Sequence, residues 1–136
     1  MAGIRRPTLG LPVALIFAAL AACSSSNTIG PGNQLQVANI ADDFQFQVSA
    51  LNNVTQTLTY SWSNTGDSAS INQASSLSGG SATLTIKGPT GSVLYQASLQ
   101  NNGTYHSAKG TTGAWQIQVV LSGAHGVVNF RVQKAP

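Results

Sequence analysis

Residues 113–121 read Gly-Ala-Trp-Gln-Ile-Gln-Val-Val-Leu, and this stretch decides the fold class. Apolar side chains stand at every second position from Trp115 to Leu121, with glutamines at two of the positions between them. Successive side chains of a strand point to opposite faces, so a period of two predicts a strand with one buried face. No stretch of the chain has the apolar spacing of an amphipathic helix.

The same alternation recurs in five other stretches, which are 44–48, 58–62, 82–86, 93–99 and 128–132. A weaker strand is predicted at Ala69–Gln73. Residues typical of turns separate these strands, in 88–91, 101–103, 110–113 and 122–126. Seven or eight short strands at this spacing predict an all-β fold, an antiparallel β-sandwich or jelly roll.

The composition favours one small domain with little charge. The chain has 136 residues, of which 7% are charged, and its only acids are three aspartates. Two of its six bases, Arg5 and Arg6, lie near the N-terminus. The other four are scattered and are not interleaved with aromatic residues, so the net charge of +3 does not indicate a nucleic-acid partner.

The N-terminal residues 1–22 are predicted to be a signal peptide with a helical apolar segment. Arg5 and Arg6 precede the apolar run Leu9–Leu20, whose 12 residues are too few to span a bilayer as a helix. The next residues, Leu20-Ala21-Ala22-Cys23, resemble the lipobox of bacterial lipoproteins. The resemblance implies cleavage before Cys23 and diacylglycerol on its thiol. The alternative is an ordinary secretory peptide followed by a free cysteine.

Ser24 after the cysteine resembles the sorting signal of outer-membrane lipoproteins. We therefore expect a protein of the bacterial cell envelope that is anchored in the outer membrane and faces the periplasm or the cell surface. Residues 24–33 (SSSNTIGPGN) are rich in Ser, Gly and Pro, so the acylated Cys23 and a flexible tether are assigned to 23–36. The sandwich domain is assigned to 37–136.

Within the domain, several motifs resemble the small jelly-roll domains of the prepeptidase C-terminal (PPC) type. They are the aromatic strand Asp43–Val48, the strand, Pro/Gly turn and strand of Ala82–Tyr95, and the terminal hairpin of 113–119 and 126–132. Members of that family usually carry acidic residues before the Pro/Gly turn, some of which bind calcium. Here the equivalent Ser78–Ser81 has no carboxylate, and only a weak calcium possibility at Asp42 and Asp43 is implied.

The sequence lacks the motifs of common catalytic sites and cofactors. Asp42 and Asp43 are adjacent in a predicted strand and would point to opposite faces, which does not suit a pair of catalytic carboxylates. There is no G-x-S-x-G motif, and no metal-binding spacing of His, Cys or acids is present. His106 and His125 are expected to be solvated, although a hydrolase built on one of them remains a distant alternative. We expect no enzyme activity and no cofactor.

The expected function is that of a non-catalytic interaction or accessory module in the cell envelope. Its expected partners are the membrane, through the lipid on Cys23, and an envelope protein or a glycan. The alternative function is a carbohydrate-binding module for peptidoglycan or exopolysaccharide. Tyr105 is then the expected exposed ring, and the candidate ligand-binding residues are Tyr105, His106, Asn101 and Asn102.

Overall fold

The computed structural model describes residues 27–136, so the predicted signal helix and Cys23 lie outside the described residues. The predicted fold class is confirmed: the chain forms an antiparallel β-sandwich with seven strands. A short 3-10 helix, Pro31–Asn33, precedes the strands. The strands are β1 (Gln36–Ile40), β2 (Asp43–Asn64), β3 (Ala69–Gln73), β4 (Ser76–Lys87), β5 (Val93–Ser98), β6 (Gly103–His106) and β7 (Gly113–Lys134).

The prediction that all strands are short was wrong for β2 and β7, which have 22 residues each. They run antiparallel to one another and bend together, so that 43–48 pair with 128–133 and 56–64 pair with 113–121. The predicted strands at 44–48 and 58–62 are thus two halves of β2, and the predicted turn at 122–126 lies inside β7. The physical reason is that β-bulges can bend a pair of strands without ending the hydrogen-bonded ladder.

The bends of β2 and β7 create two layers. Layer one contains β1, the N-terminal half of β2, the C-terminal half of β7, β3 and β6. Layer two contains the C-terminal half of β2, the N-terminal half of β7, β4 and β5. Both long strands therefore belong to both layers.

The bends that β2 and β7 share lie at one end of the sandwich, which we call the corner end. The register between β2 and β7 shifts three times between Val48 and Gln56, and the register between β4 and β7 shifts twice between Leu77 and Ser81. Gly80 has a φ of +71°, and a Cβ at this position would overlap the carbonyl group of Gly123. The close approach of the two strands therefore requires glycine there. The opposite end, which carries the turns at 41–42, 65–68, 88–92 and 110–112, we call the hairpin end.

The core lies between the layers and is rich in aromatic rings. Phe46 and Phe130 of layer one stack with their centroids 5.2 Å apart, and Tyr60 of layer two lies 5.3 Å from Phe44. The two tryptophans, Trp62 and Trp115, are each 1% exposed and meet edge to face.

One predicted stripe of core residues was partly wrong. Val93 is 52% exposed, whereas the next residue, Leu94, is buried. A register shift between Ile86 and Lys87 of the neighbouring strand displaces this end of β5 from strict alternation.

Within the predicted tether, Asn27–Asn33 is hydrogen-bonded to the corner end. The Thr55 amide donates to the Asn27 carbonyl at 2.8 Å, and the Ile29 amide donates to the side chain of Gln56 at 2.8 Å. The side-chain amide of Asn33 donates to the Ala50 carbonyl at 2.8 Å. Within residues 27–136, no helix has the length and apolar character that a membrane crossing requires.

Candidate interaction surface

The most open strand of the sandwich is β1, at one edge of layer one. It pairs with β2 on one side, and no other described strand pairs with it. All five of its residues are exposed, and none is charged or a proline. Three large apolar side chains are exposed in and beside it: Leu35 (38%), Val37 (36%) and Ile40 (64%). Edge strands of stable monomers are usually protected by charge, proline or a bulge, so β1 has the features of a strand that can pair with another chain.

The C-terminal end of β1 is fixed against layer two. The side-chain amide of Asn39 donates to the Ser61 carbonyl at 2.9 Å, and the indole N–H of Trp62 donates to the Ile40 carbonyl at 3.1 Å. These two bonds hold β1 in position, so its open edge is presented as an ordered strand.

Beside β1, the outer face of layer one carries a row of side-chain amides. Two shallow grooves of about 420 and 330 Å³ meet here, and both are lined by Gln45 and Asn129. The first also includes Gln47, and the second includes Asn72, Gln133 and the charged Arg131. Amide side chains donate and accept hydrogen bonds without charge, so this face suits a ligand rich in hydroxyl or peptide groups.

The two aspartates of the calcium possibility are each bonded to groups of the chain itself. Asp43 accepts two hydrogen bonds from the Arg131 guanidinium, at 3.0 and 2.9 Å, which lower the pKa of its carboxyl. Asp42 accepts hydrogen bonds from the backbone and hydroxyl of Thr65, both at 2.8 Å, which lower its pKa, and Lys134 lies 3.8 Å away. Among the described residues, no group of three or more His, Cys, Asp or Glu could hold a metal ion.

The four predicted ligand-binding residues lie at the loop before β6 and in that strand. Tyr105 is only half exposed, because it pairs with the buried Ile71 and therefore faces inward, where its ring lies 6.2 Å from that of Tyr95. Its hydroxyl donates to the Asn102 carbonyl at 3.1 Å. Tyr105 thus differs from the exposed ring that the sequence predicted.

The amide of Asn102 is occupied by the fold. Its side chain accepts from the Ser75 amide at 2.8 Å and donates to the Ser75 carbonyl at 2.9 Å. Asn101 and His106 are exposed. Asn102 is exposed as well, although both ends of its amide are bonded to Ser75, whereas Tyr105 is half buried.

Gln73 is the residue of this region that the sequence analysis missed. It is 2% exposed, and its amide donates to the carbonyls of Ser98 and Asn101 at 3.0 and 2.7 Å. Tyr95 donates its hydroxyl to the Gln73 carbonyl oxygen at 2.7 Å, and burial raises the pKa of Tyr95 to about 12. The available signal was the alternation of Ala69, Ile71 and Gln73, which places the amide on the buried face of β3.

No protein-family model matches this chain, and no curated protein matches its sequence.

Proposed function

We propose that the protein is a non-catalytic lipoprotein of the bacterial outer membrane, anchored through acyl chains on Cys23, whose sandwich binds an envelope protein through β1. The observation that carries the proposal is the exposed, uncharged edge strand β1, with exposed apolar side chains at Val37, Ile40 and the preceding Leu35. An incoming strand would gain main-chain hydrogen bonds along the free edge of β1 and bury those side chains.

The pairing of the aspartates supports a non-catalytic role. Each of the three carboxylates in the chain lies within 4 Å of a cation: Asp42 of Lys134, Asp43 of Arg131 and Asp67 of Lys109. A carboxylate that acts as a general acid needs a raised pKa, whereas the cation beside Asp43 lowers its pKa. The lowered pKa values of Asp42 and Asp43 therefore support the proposal that these carboxylates do not act as general acids.

The experiment is crosslinking in cells of the full lipidated protein, followed by mass spectrometry of the captured material. A double variant, Val37→Lys with Ile40→Lys, places charges on β1. The matched control is Val93→Lys, because Val93 is an exposed valine on β5, an edge strand of the other layer. We expect one envelope protein to be captured reproducibly by the natural chain and by the control but lost from the double variant. Capture that survives the double variant would contradict the proposal.

The second candidate function is carbohydrate binding, and the row of amides on layer one favours it. The grooves around Gln45 and Asn129 offer uncharged donors and acceptors to the hydroxyl groups of a glycan. Retention on peptidoglycan or exopolysaccharide that is lost in a Gln45→Ala, Asn129→Ala double variant but kept after Tyr105→Ala would favour this function. If retention on the glycan is instead lost after Tyr105→Ala, the glycan-binding site lies at the loop before β6, as the sequence predicted.

A further inference from the structure

The charges of the described residues are distributed very unevenly along the sandwich. Seven charged side chains are present, and all lie toward the hairpin end: Asp42, Asp43, Asp67, Lys87, Lys109, Arg131 and Lys134. The corner end comprises residues 27–34, 48–56, 77–81 and 121–127, and none of these residues is Asp, Glu, Lys or Arg. Its surface consists mainly of Ser, Asn, Gly and Gln.

The N-terminal segment is attached to this uncharged end. Five hydrogen bonds join Asn27–Asn33 to β2, and they involve Ser49, Ala50, Thr55 and Gln56. Ile29 is half buried and packs against the core. The described chain therefore enters the sandwich at the corner end.

The length of chain between Cys23 and Asn27 limits where the membrane can lie. Four steps of chain span at most about 14 Å when fully extended. The hairpin end is farther away, because the eight steps from Gln56 to Asn64 cover roughly 27 Å at about 3.4 Å per strand residue. If 27–33 were free, the 13 steps from Cys23 to the start of β1 could span about 45 Å, and either end could reach the membrane.

We infer that the corner end is a membrane-facing surface, which rests on the lipid headgroups to which the acyl chains of Cys23 anchor the protein. This inference rests on the lipid anchor of the proposed function and adds the orientation of the domain. An end without charges can approach the headgroups without the cost of desolvating an ion. The charged hairpin end then points away from the bilayer, and β1, which runs from the corner end to the hairpin end, presents its open edge along the membrane normal.

The test uses the full acylated chain in phosphatidylcholine vesicles that contain a lipid with a nitroxide on its headgroup. Because Cys23 is the only cysteine and its thiol is acylated, one introduced cysteine can be labelled with a fluorophore. Asn52→Cys places the label at the corner end, and Thr90→Cys places it at the hairpin end; both residues are exposed. We expect at least threefold stronger quenching at position 52 than at 90.

A flexible spacer of ten Gly and Ser residues, inserted between Ser26 and Asn27, leaves the sandwich and its hydrogen bonds unchanged. We expect the spacer to lower the quenching at position 52 toward that at position 90. Equal quenching at the two positions in the natural chain, or quenching at 52 that the spacer does not change, would overturn the inference. A protein mass without diacylglycerol would instead refute the lipid anchor of the proposed function, so the two failures are distinguishable.

Discussion

Replacing Gly80 by alanine tests whether the close approach of β4 and β7 determines the corner end. Gly80 has a φ of +71°, and alanine in such a left-handed conformation costs about 1–2 kcal/mol. A Cβ there would also overlap the Gly123 carbonyl and lie 2.6 Å from the carbonyl oxygen of Ser122. Overpacking of this kind costs about 1–3 kcal/mol. We therefore expect Gly80→Ala to lower the free energy of unfolding by roughly 2–5 kcal/mol.

Gly91→Ala is the matched control. Gly91 also has a positive φ, +87°, but nothing lies within 4 Å of a Cβ built on it. The control should therefore cost only the backbone term of about 1–2 kcal/mol. Both variants reduce the entropy of the unfolded chain equally, so this effect cancels in the comparison.

The free energy of unfolding is measured by urea titration, followed through the fluorescence of Trp62 and Trp115, which are both buried. We expect Gly80→Ala to be less stable than Gly91→Ala by about 1–3 kcal/mol, a large part of the roughly 5–15 kcal/mol that stabilises a small domain. If the two variants are equally stable within about 0.5 kcal/mol, steric contact with Gly123 does not determine the bend.

Two further predictions concern the polar contacts. Gln73→Leu removes three hydrogen bonds and leaves the Tyr95 hydroxyl without its acceptor. Urea unfolding should therefore show a free energy of unfolding that is lower by roughly 2–4 kcal/mol. Tyr95→Phe should lower the free energy of unfolding less in the Gln73→Leu background than in the natural chain. The hydrogen bonds from Arg131 lower the pKa of Asp43 in the folded state. The pair therefore stabilises the fold fully at a pH above the pKa of aspartate in the unfolded chain, 3.8, and this stabilisation is lost as the pH falls through the pKa of Asp43 in the folded state. Urea titrations at pH 5 to pH 2, in steps of about one pH unit, should show that stability falls less with acid in Arg131→Gln than in the natural chain. If the pH dependence of stability is the same in both, the Asp43–Arg131 pair is not a cause of the acid-dependent loss.

The fold class could be predicted from the sequence because alternation is a local property. The stripe from Trp115 to Leu121 is buried at its apolar positions, as expected for one face of a strand. The continuity of β2 and β7 could not be predicted in this way. Gly123 and Gly126 are typical of turns, and only the pairing of β7 with both β2 and β4 shows that the ladder passes through them. Turn residues therefore marked bends here and not strand ends.

The candidate site could be predicted only in part, for a related reason. The sequence identified Asn101 and Asn102 as turn residues in the loop before β6, but whether their side chains bind the fold or face solvent depends on partners distant in the chain. The free edge of β1 depends on which strands pair, and it was not predictable from five residues of sequence. The absence of charged residues in β1 could be read from the sequence, but it indicates a strand that can pair with another chain only once the strand is known to lie at an edge.

The arrangement of the long strands explains how one edge can be open while the sandwich stays stable. Because β2 and β7 each belong to both layers, the two layers cannot separate from one another unless the structure of both strands is disrupted at the corner end. Among the described strands β1 pairs with β2 alone, and none of the five residues of β1 is buried in the core. A partner that pairs with the free edge of β1 need not disturb the ring contacts of Phe130 with Phe44 and Phe46. The strand proposed for binding thus lies outside the aromatic core, to which the hydrogen bond from Trp62 to the Ile40 carbonyl connects it.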